Sequence, residues 1–178
     1  MFSVVLLDFP TGLEVEEEID HMANSTKVSR IIKAPRHVIY QAFLEPDSVV
    51  QWLPPNNMTG EMHTFEPREG GKFHMTLTYT DQQNSPAGKT TEDSDTVEGK
   101  FVKLVPDEAI VQAFEFKSDD PEFAGEMTIT WTLKDADGGT EVTVLCENIP
   151  NGIRPEDNET GSRESLAHLA AFVEKRKT

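Results

Sequence analysis

The chain has 178 residues, of which 37% are apolar and 27% charged, and its formal net charge is −16. This composition is typical of one globular domain with a sizeable core. The charge argues against nucleic acid and anionic membrane surfaces as partners. The 16 basic residues are scattered along the chain and are outnumbered by 32 acidic residues, which would repel a negatively charged partner.

Residues 1–21 differ in composition from the rest of the chain. An apolar run over 2–7 is followed by an acidic cluster between Glu14 and Asp20. We interpret residues 1–21 as an extension, either disordered or a start-site artefact, ahead of one domain over residues 22–178. The alternative is an added edge strand over 3–9. The apolar run is short and lacks basic residues, so we predict neither a signal peptide nor a membrane span.

The next segment predicts one strand and two short helices. Residues 26–33 alternate apolar and polar side chains, as strands do. Pro35 suits the first turn of a helix, and the apolar period after it predicts a helix that Pro46 ends. A second short helix is predicted over 47–52, before Pro54 and Pro55 break the chain.

From Thr59 onward the pattern predicts about six antiparallel strands and one long helix. Three hairpin turns are indicated at 68–71, 106–107 and 136–139, and the polar stretch 82–95 predicts a loop. A final amphipathic helix is predicted to begin at Gly161, with Leu166, Leu169, Ala170 and Val173 on its apolar face. Strands segregated from helices indicate the α+β class.

Four segments in this order resemble the START-like superfamily, also called SRPBCC or the helix-grip fold: 31–55, 65–75, 97–116 and 148–175. More narrowly, they resemble homologues of the activator of the ninety-kilodalton heat-shock chaperone ATPase, a branch labelled polyketide-cyclase-like. The resemblance covers roughly residues 25–176. It implies a curved antiparallel sheet of about seven strands wrapped around a long C-terminal helix, with a hydrophobic cavity between them. Many relatives carry Trp directly after the glycine at position 161, so Ser162 implies extra room or a polar contact there.

We expect the cavity to be lined by inward strand positions, the segment over its mouth and the C-terminal helix. Trp131 and Tyr79 would offer an N–H or O–H to a guest, and Met75 and Met127 would adapt to its shape. Ordinary core packing is the alternative for most of these positions, and structural packing is the alternative to gating for Trp52. The predicted lining is Trp52, Phe73, Met75, Leu77, Tyr79, Phe101, Phe114, Met127, Ile129, Trp131, Ser162, Leu166, Leu169 and Ala170.

No residue pattern assigns a catalytic group, a metal or a cofactor. His63 and His74 are predicted to be strand neighbours, but no third ligand accompanies them. Strand alternation points Glu115 outward, between two phenylalanines. Cys146, the only cysteine, is interpreted as a small buried hydrophobe, and it indicates a reducing compartment because no internal disulfide can form. Residues 162–165 lie near the predicted start of the last helix. An anionic group of a ligand would be favoured there, but the ordinary preference of polar residues for helix starts explains these residues equally well.

The leading hypothesis is a cytoplasmic protein that binds an apolar or amphipathic small molecule, such as a lipid or an aromatic metabolite, without a cofactor. One alternative is a cyclase, dehydratase or hydrolase that uses the same cavity. A second, implied by the resemblance alone, is a module that regulates a chaperone ATPase; a stress-response role is compatible with the leading hypothesis. The residues leave open the ligand, any turnover, and whether exposed strand edges pair two copies into a homodimer.

Overall fold

A computed structural model describes residues 24–81, 83–85 and 87–176. Its strands are β1 (Thr26–Ile32), β2 (Met58–Phe65), β3 (Lys72–Tyr79), β4 (Ser94–Val105), β5 (Ala109–Phe116), β6 (Met127–Ala136) and β7 (Gly139–Glu147). Its α-helices are α1 (Arg36–Leu44), α2 (Pro46–Trp52) and α3 (Pro155–Glu174), and a single 3-10 turn spans Pro121–Phe123. The predicted extension over 1–21, and the alternative strand over 3–9, lie outside the described residues.

The seven strands form one antiparallel sheet in the order β1-β7-β6-β5-β4-β3-β2. Strands β2 to β7 are neighbours in chain order, whereas β1 joins the sheet beside β7. The sheet curls around α3, and the predicted α+β helix-grip architecture is confirmed. Within the described part of the chain β1 and β2 are the sheet edges, and pairing of two copies through them stays a prediction. No described helix is both long and apolar enough to cross a membrane.

Helix α3 begins earlier than the sequence predicted. Gly161 was expected to open it, but the helix starts six residues before, at Pro155. Proline is well suited to the first helical position, where its missing N–H would have no partner, and Glu156 and Asp157 complement the positive helix end. Ser162 therefore lies in the interior of the helix, so the helix-start explanation for residues 162–165 is wrong.

Pro46 has two structural roles. It follows Glu45, whose extended backbone ends α1, and it occupies the first position of α2. The short α1–α2 pair brings Phe43 and Trp52 together, with ring centroids 4.7 Å apart in an edge-to-face arrangement. Both side chains are buried, so this pair belongs to the hydrophobic core.

The turn between β2 and β3 depends on Glu66 and Gly71. The Glu66 carboxylate accepts a 2.8 Å hydrogen bond from the Lys72 backbone N–H, and this bond is the main reason that the pKa of Glu66 lies below its usual value. The backbone N–H of Gly70 donates to the carbonyl oxygen of Phe101 at 2.7 Å, which ties the turn to β4. A Cβ atom on Gly71 would lie 2.1 Å from the Glu66 carbonyl oxygen, so this position requires glycine.

Candidate functional site: a cavity between the sheet and α3

A cavity of about 660 Å³ lies between the inner face of the sheet and the N-terminal half of α3. Ligand pockets in proteins typically have volumes of about 300–1,000 Å³. Loop residues on either side of β2 and β3 add to the wall: Leu53, Pro55, Asn56, Asn57, Asn84, Ser85, Ala87 and Lys89. The inner faces of three strands supply most of the apolar lining: Phe73, Met75 and Leu77 on β3, Phe114 and Phe116 on β5, and Met127, Ile129 and Trp131 on β6.

Nine of the fourteen predicted lining residues border this cavity. They come from β3, β5, β6 and α3: Phe73, Met75, Leu77, Tyr79, Phe114, Met127, Ile129, Trp131 and Ser162. The strand members share the inner face because alternate residues of a strand point to the same side. That these residues contact a guest stays a prediction.

The other five predicted residues lie in the core, outside the lining: Trp52, Phe101, Leu166, Leu169 and Ala170. The indole N–H of Trp52 donates a 3.0 Å hydrogen bond to the Ala42 carbonyl oxygen, and only 1% of the residue is exposed. Trp52 therefore packs as a structural residue beside Trp131, with ring centroids 5.6 Å apart, rather than gating the mouth.

The position of α3 explains the remaining core residues. Because the helix begins at Pro155, its N-terminal half supplies part of the cavity wall, while Leu166, Leu169 and Ala170 pack in the core beyond it. The residues of α3 that border the cavity are Asp157, Asn158, Thr160, Gly161, Ser162, Glu164 and Ser165. Phe101 is fully buried and contacts Phe65 and Phe73, with ring centroids 5.5 and 5.7 Å away.

A buried ion pair in the cavity wall was missed by the sequence reasoning. The Lys89 ammonium lies 2.7 Å from the Asp95 carboxylate, whose side chain is only 4% exposed. Lys89 also lies over the Phe116 ring, 5.2 Å from its centroid. Strand alternation could have placed Asp95 inward, because it shares the inner face of β4 with Val97. The polar composition of 82–95 instead led to the prediction of a loop.

Uncharged polar groups also border the cavity. Gln112 lies on the same face of β5 as Phe114, and its amide makes no hydrogen bond within the described residues. Every fully buried side-chain N or O atom in that part of the chain has a partner, so the Gln112 amide is not fully buried, and the residue borders the cavity. Burial, followed by the charges of Asp95 and Asp157, raises the pKa of Tyr79 above its usual value, so this residue offers a neutral phenol to the cavity.

Cys146 reaches the cavity from β7 among polar neighbours. Burial raises the pKa of its thiol, while hydrogen bonds with Thr26, Ser162 and Asn158 oppose that rise. The net effect is a protonated thiol, which is a poor nucleophile. Cys146 is 1% exposed, as predicted for a small buried residue, and its thiol can donate or accept a weak hydrogen bond.

The segment that follows α2 is fastened to α3 at the cavity rim. Both ring nitrogens of His168 lie 2.9 Å from oxygen atoms, one on Pro54 and one on Asn56. The Glu164 carboxylate accepts from the Asn56 backbone and side-chain amides at 3.1 and 3.2 Å. The Ser165 hydroxyl donates to the Leu53 carbonyl oxygen at 2.6 Å. These bonds hold the rim without closing it.

The other candidate chemical groups lie away from the cavity. His63 and His74 are neighbours, as predicted, with ring centroids 4.7 Å apart. No cluster that could hold a metal ion occurs among the described residues. Glu115 is exposed on the outer face of β5, as alternation predicted.

Comparisons with known proteins identify the family. A family model described as "Activator of Hsp90 ATPase homolog 1-like protein" matches residues 33–174. The crystal structure of protein CV1439 from Chromobacterium violaceum shares 30% sequence identity, covers 85% of this chain and 97% of its own, and superimposes with a TM-score of 0.74.

More distant structures share the fold alone. A protein from Rhodobacter sphaeroides is 18% identical, with a TM-score of 0.70 and coverage of 87% of this chain and 95% of its own. An AHSA1-like protein from Aeromonas hydrophila is 14% identical, with a TM-score of 0.63 and coverage of 85% and 93%. A comparison with curated proteins finds no match. The family-model match spans most of the chain, which therefore belongs to the Activator of Hsp90 ATPase homolog 1-like family of the START-like superfamily.

Proposed function

We propose that the protein binds an apolar or amphipathic small molecule, such as a lipid or an aromatic metabolite, in the cavity between the sheet and α3. The observation that carries this proposal is a cavity of about 660 Å³ with mainly apolar walls. Burying a guest's apolar surface contributes about 25 cal/mol per Å², before the costs of ordering and desolvation. Met75 and Met127 suit an irregular guest, because their side chains are flexible.

The polar groups of the wall would orient the guest. The Gln112 amide and the phenol of Tyr79 border the same space as the apolar strand residues. A few placed polar groups in an apolar pocket are typical of ligand sites, where they fix orientation. We further propose a cytoplasmic location, on the basis of the single cysteine in the whole chain.

The test is a fluorescence titration with N-phenyl-naphthylamine, a neutral probe whose emission rises in apolar surroundings. We expect saturable binding of one probe per chain. Leu77→Gln places an amide in the wall and should weaken binding about tenfold, equivalent to about 1.4 kcal/mol. Val102→Gln is the matched control, because Val102 is 47% exposed outside the cavity. Equal effects of both substitutions, or no saturable binding, would contradict the proposal.

A second candidate function, regulation of a chaperone ATPase, is supported by the description of the matching family. Its test is a titration of this protein into the ninety-kilodalton heat-shock chaperone while ATP hydrolysis is measured. A saturable rise in hydrolysis would support it, whereas an unchanged rate would remove it.

A further inference from the structure

We propose that the cavity selects its guests by charge: it accepts amphiphiles with an uncharged or cationic head group and rejects carboxylates and phosphates. This inference rests on the proposed function and narrows its ligand class. It follows from the charged and polar groups that the described residues place around the cavity.

The only lysine or arginine among the described lining residues is already paired. Lys89 lies 2.7 Å from Asp95, and both side chains are largely buried. An anionic guest would have to compete with Asp95 for this ammonium group. Breaking such a pair leaves a carboxylate in a poorly solvated position, which is costly.

Among the described residues, the other charged side chains that line the cavity are negative. Asp157 and Glu164 project from α3 and border the cavity. Glu164 bonds to the uncharged Asn56, so its charge is not neutralised by that contact. The cation nearest to Asp157 is the exposed Arg154, at 3.7 Å, which is shared with Glu156 and screened by solvent. A guest with a negative head group would therefore meet repulsion at the rim.

The interior offers neutral hydrogen-bonding groups instead. The Gln112 amide has no partner within the described residues, and it can donate to or accept from an alcohol, an amide or a carbonyl group. A head group of that kind would bond to Gln112 without displacing Lys89 from Asp95. An ammonium group would in addition be attracted by Asp157 and Glu164.

The test is displacement of bound N-phenyl-naphthylamine by dodecanol, dodecylammonium and dodecanoate at neutral pH, with dodecanol below its solubility limit and the two charged compounds below their micellar concentrations. The three compounds share one tail and differ in head-group charge. We expect dodecanoate to bind at least about tenfold more weakly than dodecanol. Dodecanoate binding as tight as dodecanol, or tighter, would overturn the inference.

Charge variants locate the effect. The double variant Asp157→Asn/Glu164→Gln should reduce the difference in affinity between dodecanoate and dodecanol. The control Asp137→Asn lies in the exposed β6–β7 turn and should leave that difference unchanged. Asp95→Asn removes the carboxylate partner of Lys89 and should tighten dodecanoate binding. If none of the cavity variants changes the difference in affinity between dodecanoate and dodecanol, the inference is overturned. Failure of the probe and of all three compounds to bind would instead overturn the proposed function itself.

Discussion

Ser162→Trp should occupy part of the cavity and weaken guest binding without unfolding the protein. Ser162 borders the cavity from the interior of α3, where the family resemblance leads us to expect tryptophan. Serine and tryptophan have similar helix propensities, so the substitution does not penalise the helix itself. The new indole ring would enter space that a guest would otherwise occupy.

The expected stability change follows from the buried area. A tryptophan side chain buries about 150–250 Å² when it is well packed. If about half of that area leaves water, the gain is about 2.5 kcal/mol at 25 cal/mol per Å². Lost rotamer freedom offsets about 1 kcal/mol. We therefore expect the free energy of unfolding to rise by about 1–2 kcal/mol, measured by chemical denaturation.

Probe affinity should fall by at least about tenfold in the same variant, measured by titration with N-phenyl-naphthylamine. Arg163→Trp is the matched control, because the Arg163 side chain is 61% exposed and its ion pair with Glu159, at 3.1 Å, contributes only about 0.3–0.5 kcal/mol. The control should keep its probe affinity. Unchanged probe affinity in Ser162→Trp would contradict a binding site beside Ser162. A variant that fails to fold would contradict the claim that empty space adjoins Ser162.

Three further predictions concern the scaffold. Trp52→Phe removes the hydrogen bond to Ala42 and should lower the free energy of unfolding by about 1–3 kcal/mol. Probe affinity should stay within about twofold. A large loss of affinity with unchanged stability would show that Trp52 contacts the guest. Gly71→Ala should lower stability by about 2 kcal/mol or more, measured by denaturant titration, because its Cβ would collide with the Glu66 carbonyl oxygen; an unchanged midpoint would contradict the turn geometry. The thermal unfolding midpoint should fall as pH rises above about 9.0, the ordinary pKa of the Cys146 thiol, because the folded state holds that proton more tightly than the unfolded chain. The stability that this group contributes is fully present below the pKa of the unfolded state and is lost as pH rises through the pKa of the folded state. Cys146→Val should therefore lose less thermal stability at alkaline pH than the wild type. An equal loss in both proteins would contradict a raised pKa of Cys146.

Most of the fold could be predicted because its signals are local. Alternation along 72–79 and 127–136 marks strands with one inner face, and the turn at 68–71 joins two of them. The start of α3 was misplaced although a local signal exists. Pro155 followed by Glu156 and Asp157 is typical of a helix start, but the prediction placed the boundary at Gly161.

The cavity could be predicted only in part. Periodicity identifies buried faces, so Phe73 and Leu169 have equivalent signals although only Phe73 borders the cavity. Which part of a buried face adjoins empty space depends on how far α3 extends across the sheet, and that is a property of tertiary packing. The Lys89–Asp95 pair was only partly predictable. Alternation with Val97 could have placed Asp95 on the inner face of β4, but the polar stretch 82–95 gives no local sign that Lys89 turns inward.

The most direct test of guest binding in the cavity is a methyl NMR titration of isotope-labelled isoleucine with N-phenyl-naphthylamine. Ile129 and Ile153 border the cavity, whereas Ile39 is buried in α1 and Ile31 is exposed on β1. We predict saturable shifts of the Ile129 and Ile153 methyl signals, with those of Ile39 and Ile31 unchanged. Saturable binding that leaves Ile129 and Ile153 unmoved, or the absence of any shift, would contradict the account.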